Sequence, residues 1–294
     1  MQISLGPVLY NWAPEQWRDF YFRVADEAPV DVVSVGETVC SKRSPFFAPY
    51  LPDVIERLEQ AGKQVLLSSL ILVSLRRERR QTDEQVKESG RMVEVNDLTC
   101  LNSMEGRPHA IGPFVNIYNE TSAAFHVQQG ASRICLPPEL PMTSISVIAS
   151  ALPQAVFEVF AFGRVPLAIS ARCYHARLHK LAKDNCQFVC EKDRDGLVLK
   201  TLDQQDFLTI NGVQTLSYTC NNLLADIDAL KKSGIRSLRL SPQDCDMVAV
   251  ARVFRDVIDG RDDADGGSRR LAEIYPNVPF SNGFLHGKPG FTQA

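Results

Sequence analysis

The sequence predicts an α/β chain folded as a (β/α)8 barrel of the TIM type, and three observations lead there. Eight short apolar segments recur, near residues 3, 31, 65, 92, 111, 133, 156 and 236. Most are separated by a stretch with helical spacing, and such alternation repeated about eight times suits a closed parallel barrel of roughly 250 residues. About 75 residues separate the seventh segment from the eighth, far more than one helix with its loops requires, which predicts a functional insertion there. A doubly wound open sheet is the alternative that the same alternation allows.

Taken in order, Ile3 to Leu9 reads as a first strand, and Pro14 suits the first turn of a helix over Glu15 to Glu27, with Trp17, Phe20, Tyr21 and Val24 on one face. VDVVSV, ending at Gly36, is a buried-strand signature. A helix follows Pro52 and stops at Gly62, and Val65 to Leu70 is the third strand. The charged stretch from Ser74 to Gly90 is helical. Met92 to Val95 and Ile111 to Val115 are strands joined mostly by loop, and Thr121 to Gly130 is a short helix. Arg133 to Leu136 is a strand, Ser144 to Leu152 a helix and Val156 to Phe160 a strand with alternating pattern. After the cysteine-bearing segment comes a β-rich stretch from Gly196 to Thr219, a helix over Leu223 to Lys232, a last strand over Arg236 to Leu240 and a last helix over Met247 to Ile258. The tail, with Gly266-Gly267, reads as loop. The whole is predicted to be one domain, 1–294, with an insertion over 162–220 that carries the three closely spaced cysteines Cys173, Cys186 and Cys190.

Composition narrows the function classes. With 294 residues, 45% hydrophobic and 23% charged, the chain has ample core and needs no disulfide staples. A net charge of -3 and a pI near 6.0 give no electrostatic footprint for nucleic acid. One basic cluster, Arg76, Arg77, Arg79 and Arg80, is diluted by Glu78, Asp83 and Glu84 and reads as a solvated helix face. The first residues lack the pattern of a secretory leader, and the longest apolar run, Val65 to Leu75, is interrupted by serines and too short for a bilayer. A cytoplasmic protein that is not integral to a membrane is expected, with its eight cysteines kept as thiols unless a metal takes some of them.

The densest chemistry lies between Phe162 and Lys200, where Cys173, Cys186 and Cys190 are spaced C-x12-C-x3-C and accompanied by His175 and His179. Closely spaced thiols without a secretory context point to a thiolate-binding metal, either zinc or the iron of an iron–sulfur cluster. In a barrel, Cys40, just past strand two, would open onto the same face as an insertion leaving strand seven, so four thiolates could meet. Four thiolates suit a cubane cluster or a closed structural zinc site. His175 and His179 enclose no glutamate, so the zincin pattern fails, and they read as a solvated helix face. Cys100, Cys135, Cys220 and Cys245 are isolated and read as small buried hydrophobes. No G-x-S-x-G elbow and no Gly-rich phosphate loop is present. Glu37, Arg43, Asn116, Glu120, Arg164 and Arg172 are polar residues near strand ends or in the insertion, each a candidate for a pocket or for an ordinary surface ion pair.

GETVCSKR (36–43), the segment 162–190 and the tail SNGFLHGKPG (281–290) resemble the collagenase-like peptidase family, within it the branch of accessory factors for oxygen-independent ubiquinone biosynthesis. The resemblance spans essentially the whole chain. It implies that Cys40, Cys173, Cys186 and Cys190 bind a four-iron, four-sulfur (4Fe-4S) cluster. It also implies a heterodimer with a UbiU-like sister protein, anaerobic hydroxylation of a ubiquinone precursor, and prephenate as hydroxyl donor. Two other classes stay open: a collagenase-like peptidase, and a non-catalytic partner subunit whose zinc or iron–sulfur site is structural or redox-sensing.

Overall fold

The computed structural model describes residues 1–88, 90–104 and 106–294. Its first half runs β1 (Gln2–Leu5), α1 (Pro14–Glu27), β2 (Val32–Val35), α2 (Ser44–Phe47), α3 (Leu51–Gln60), β3 (Gln64–Ser68), α4 (Arg76–Glu88), β4 (Met92–Val95), α5 (Leu101–Met104) and β5 (His109–Ile111). There follow α6 (Glu120–Gln128), β6 (Ala131–Cys135), α7 (Met142–Ala151), β7 (Val156–Ile169), α8 (Tyr174–Leu178), β8 (Leu197–Lys200), β9 (Asp206–Asn211) and β10 (Gln214–Asn222). The chain ends with α9 (Ile227–Lys232), β11 (Ser237–Leu240), α10 (Met247–Ile258), α11 (Ala264–Ile274) and β12 (Phe280–Ser281).

Strands β1 to β7 pair in sequence order, all parallel, and β11 closes the ring by pairing with both β7 and β1. The result is a closed eight-stranded parallel barrel whose strands fall at the eight places expected from the sequence, except that β5 ends at Ile111, where the strand predicted over 111–115 begins, and Pro113–Val115 form a helical turn. Strand β7 runs well past its predicted end at Phe160. It pairs with β11 up to Phe162, then leaves the barrel and pairs antiparallel with β10 as far as Ile169. Strands β10, β9 and β8 extend this as an antiparallel sheet, so the insertion between barrel strands seven and eight is itself built on the prolonged seventh strand. The predicted loop between strands four and five contains the short helix α5.

The barrel interior holds a small aliphatic layer, Val32, Leu66, Ala110 and Met92, and beside it a charged one. Arg239 on β11 reaches across to Glu94 on β4 with two bonds, 2.5 and 3.0 Å, and to Glu158 on β7 at 3.1 Å. Arg133 on β6 also donates to Glu158, at 2.9 Å. Ser4 and Ser237 complete the shell of Glu158, while Ser34 and Ser68 do so for Glu94. All of these side chains are buried. The two guanidiniums, helped by the hydroxyls, overcome the burial of Glu158 and hold its carboxyl below the usual range. The larger aliphatic core lies outside the barrel, where Val33, Val35, Val65, Val93, Val95 and Ile134 pack under the helices.

The tail corrects the sequence reading. Residues 264–274, expected to be loop, form α11, capped by the Asp263 carboxylate on the backbone N–H of Gly266 at 2.6 Å. Gly267 permits close approach there instead of breaking the helix. A Cβ at this position would come within 2.6 Å of Leu224 Cδ2 and about 3 Å of Val257 and Val253. Gly267→Ala is therefore expected to lower stability by about 1–3 kcal/mol through overpacking, read as a drop of several degrees in Tm. An unchanged Tm would mean that α11 docks more loosely than described.

Candidate metal centre

Four of the eight cysteines line one pocket, together with Lys42, Arg43, His175, Lys183, Phe188, Val189, Gly212 and Val213. They are Cys40, Cys173, Cys186 and Cys190, the four singled out from the sequence. The pocket lies beyond the C-terminal ends of β2 and β7, the face on which barrel enzymes build their sites.

Each thiol is placed by a local device. Cys40 sits in the loop after β2, where the Glu37 carboxylate accepts the backbone N–H groups of Val39 and Cys40 at 2.7 and 2.9 Å. Burial pushes Glu37 up, against the opposing pull of Arg43 and those two N–H groups. Cys173 is the N-cap of α8, its sulfur accepting the Ala176 N–H at 3.5 Å. Cys186 and Cys190 flank a tight loop in which Gln187 and Phe188 both have left-handed backbones, φ 49° and 52°. Such conformations cost about 1–3 kcal/mol each and persist only where the surroundings enforce them. Here Phe188 packs edge-on against Phe46 of α2 at 4.8 Å, joining the Cys186–Cys190 loop to the segment that follows Cys40. Lys42 Nζ donates to the carbonyl of Lys183 at 2.6 Å and makes a second tie.

The insertion is anchored across the barrel mouth by residues 194 and 195. Trp12 donates to the Arg194 carbonyl at 2.8 Å, and Asp195 accepts from Arg164 at 3.0 Å and from the Asp244 N–H at 3.1 Å. Arg164 thus serves an ion pair holding the fold. Asn116, Glu120 and Arg172 are exposed and do not line the cysteine pocket. Glu37 and Arg43 do belong to the site. Of the isolated cysteines, Cys100, Cys135 and Cys220 are buried and Cys245 is half-buried.

The histidine expectation needs correction. His175 is not solvated but 1% exposed, and its Nε2 bonds to Asp193 at 2.8 Å, while His179 stacks beside it in the open. Burial lowers the basicity of His175 despite Asp193. Sequence reading also missed Gly212 and Val213. The signal was present in Gly212-Val213, a two-residue hairpin loop with glycine at the position that needs a positive φ, and this turn brings both residues to the pocket.

As thiol chemistry the set favours a soft metal over a nucleophile. Burial pushes Cys40 and Cys173 up, so neither is a ready thiolate on its own. Among the described residues, His175, His179 and Asp193 form a group with ligand atoms within 4.8 Å of one another, whereas no three of the four thiols do.

The fold and pocket define a class, a (β/α)8 barrel bearing a four-cysteine centre at its C-terminal mouth. The chain belongs to peptidase family U32, whose family model matches residues 17–294. Among solved structures it is similar to a chain of the tryptophan synthase complex from Pyrococcus furiosus, at 12% identity over 92% of this chain and 96% of that one, with a TM-score of 0.41. Among the described residues no helix is long and apolar enough to cross a membrane.

Proposed function

We propose that the chain is the UbiV-like, iron–sulfur subunit of an oxygen-independent hydroxylase of ubiquinone biosynthesis, in which Cys40, Cys173, Cys186 and Cys190 hold a 4Fe-4S cluster. It would act as a heterodimer with a UbiU-like sister protein, on a ubiquinone precursor with prephenate as hydroxyl donor. The observation that carries the reading is the meeting of four thiols in one pocket, although the first and last are 150 residues apart in the sequence. Four thiol donors fit a cubane cluster, one cysteine to each iron, and fit a structural zinc as well; the sequence resemblance favours the cluster. When bound, a cluster with four cysteine ligands supplies electron transfer rather than substrate coordination, because no iron is left open. The chain's own part is to hold the thiols and exclude water: Glu37 shapes the Cys40 loop, and the Phe46–Phe188 contact joins the two cysteine-bearing segments.

One observation favours a second reading, hydrolysis of peptide bonds. The His175–Asp193 pair lies beside the same thiols and resembles the base and orienting group of a cysteine peptidase. Against it, burial raises the Cys40 and Cys173 thiols and makes His175 a weaker base.

Anaerobic purification with iron and sulfide analysis tests the proposal, followed by a hydroxylation assay with the sister protein. About four irons and four sulfides per chain, with hydroxylation only when both proteins are present, is the expected result. A colourless chain with one zinc would remove the redox role and leave a non-catalytic subunit. Peptide-bond cleavage that persists in iron-free protein would favour the hydrolase.

A further inference from the structure

We infer that Arg43 is the built-in counter-ion of the four-cysteine set, positioned to hold a net negative metal–thiolate group and to set its reduction potential. This rests on the cluster reading above. The guanidinium is 1% exposed, and a buried charge demands compensation. The polypeptide supplies little of it. Nη1 donates to the Leu9 carbonyl at 2.9 Å, and Nη2 to Asn211 Oδ1 at 3.3 Å, both neutral acceptors. The nearest carboxylate, Glu37, stands 3.9 Å away and is already engaged by two backbone N–H groups. The buried Nε has no hydrogen-bond partner. The contrast with Arg239 is direct, since that buried guanidinium has a two-bond pair with Glu94.

What Arg43 does face is the pocket that the four cysteines line. Gly212 leaves room for it there: a Cβ on that glycine would approach Arg43 Nη2 to 3.0 Å. Burial opposes its charge, but Glu37, Cys190 and Cys40 outweigh this and keep it firmly protonated. Lys42 and Lys183 also line the pocket, yet each ammonium is spent on a backbone carbonyl. A fixed cation at this place favours the more negative, reduced state of whatever the thiolates hold, and so raises its potential.

The test compares wild-type protein with Arg43→Gln and Arg43→Lys. All three are reconstituted anaerobically, passed through gel filtration, assayed for iron and sulfide, and titrated for reduction potential. The glutamine variant is expected to retain several-fold less iron, with the residual cluster at a more negative potential. Lysine keeps the charge but not the fork to Leu9 and Asn211, so it is expected to keep a near-native potential while retaining less iron. Glutamine protein with native retention and native potential overturns the inference. Should circular dichroism show that the glutamine variant does not fold, Arg43→Met, an uncharged side chain of similar length reconstituted and titrated in the same way, decides. A more negative potential together with reduced retention then supports the inference, and native retention at native potential overturns it. A wild-type chain that takes up no iron and sulfide sinks the cluster reading itself, and this inference with it.

Discussion

Replacing Cys190 with serine is expected to drop bound iron from about four per chain to below about one, and to abolish anaerobic hydroxylation with the sister protein. Serine is nearly isosteric, so the change removes a soft ligand and little else. Its hydroxyl stays protonated at neutral pH and cannot replace a thiolate toward iron. Cys190 is the most buried of the four pocket thiols and belongs to the loop held by the Phe46–Phe188 contact. Loss of this ligand would leave one iron without its thiolate, and the Nε2 of the neighbouring His175 is held by Asp193.

The control is Cys245→Ser. Cys245 is half-buried, lies outside the pocket and contacts Met247 through sulfur at 3.7 Å. Iron and sulfide in that variant should match wild type. If both serine variants lose the cluster equally, the loss reports general destabilisation and not ligation. If Cys190→Ser keeps its iron and its activity, the four-cysteine assignment is wrong.

How far the sequence alone reaches depends on the range of the interaction involved. The barrel strands are legible because VDVVSV and its counterparts are short, β-branched and buried on both faces, a local signal. The thiol set is partly legible for a topological reason: a residue just past strand two and an insertion from strand seven must share a face of a barrel. The environments of single polar residues are not legible in this way. Arg43 could as well have been a surface cation, and its burial depends on Asn211, 168 positions away. His175 sits at helical spacing beside Arg177 and Lys180, yet a carboxylate 18 positions on draws it inward. α11 was hidden because Gly266-Gly267 reads as a break, and only the packing of Leu224 and Val253 makes a glycine there an asset.

The charged layer inside the barrel is the feature least expected from sequence, and it yields the largest expected effect on stability. Arg239→Met should destabilise the fold by about 3–5 kcal/mol, because removing one partner of a buried ion-pair network strands the others. Glu94 loses the bidentate pair that faces it, and Glu158 keeps Arg133 alone. Against a total stability of about 5–15 kcal/mol this is a large fraction, seen as a fall of roughly 10 °C in Tm. The pH dependence follows from the sign of the Glu158 shift. Its carboxyl is depressed in the folded wild type, so its contribution is present above the unfolded carboxylate range and is lost as pH falls through the folded value. In the variant that contribution is smaller from the outset, while acid relieves the stranded charge by protonating it. The Tm gap between wild type and variant should therefore be widest near neutral pH and narrow toward pH values around 4. A second substitution, Glu94→Leu, should restore part of the loss in the Arg239→Met background, because an apolar pair needs no counter-charge. Thermal melts of the three variants across this pH range check the network. A pH-independent gap, or a double variant worse than the sum of the singles, would show that Arg239 serves packing and not charge pairing across the barrel.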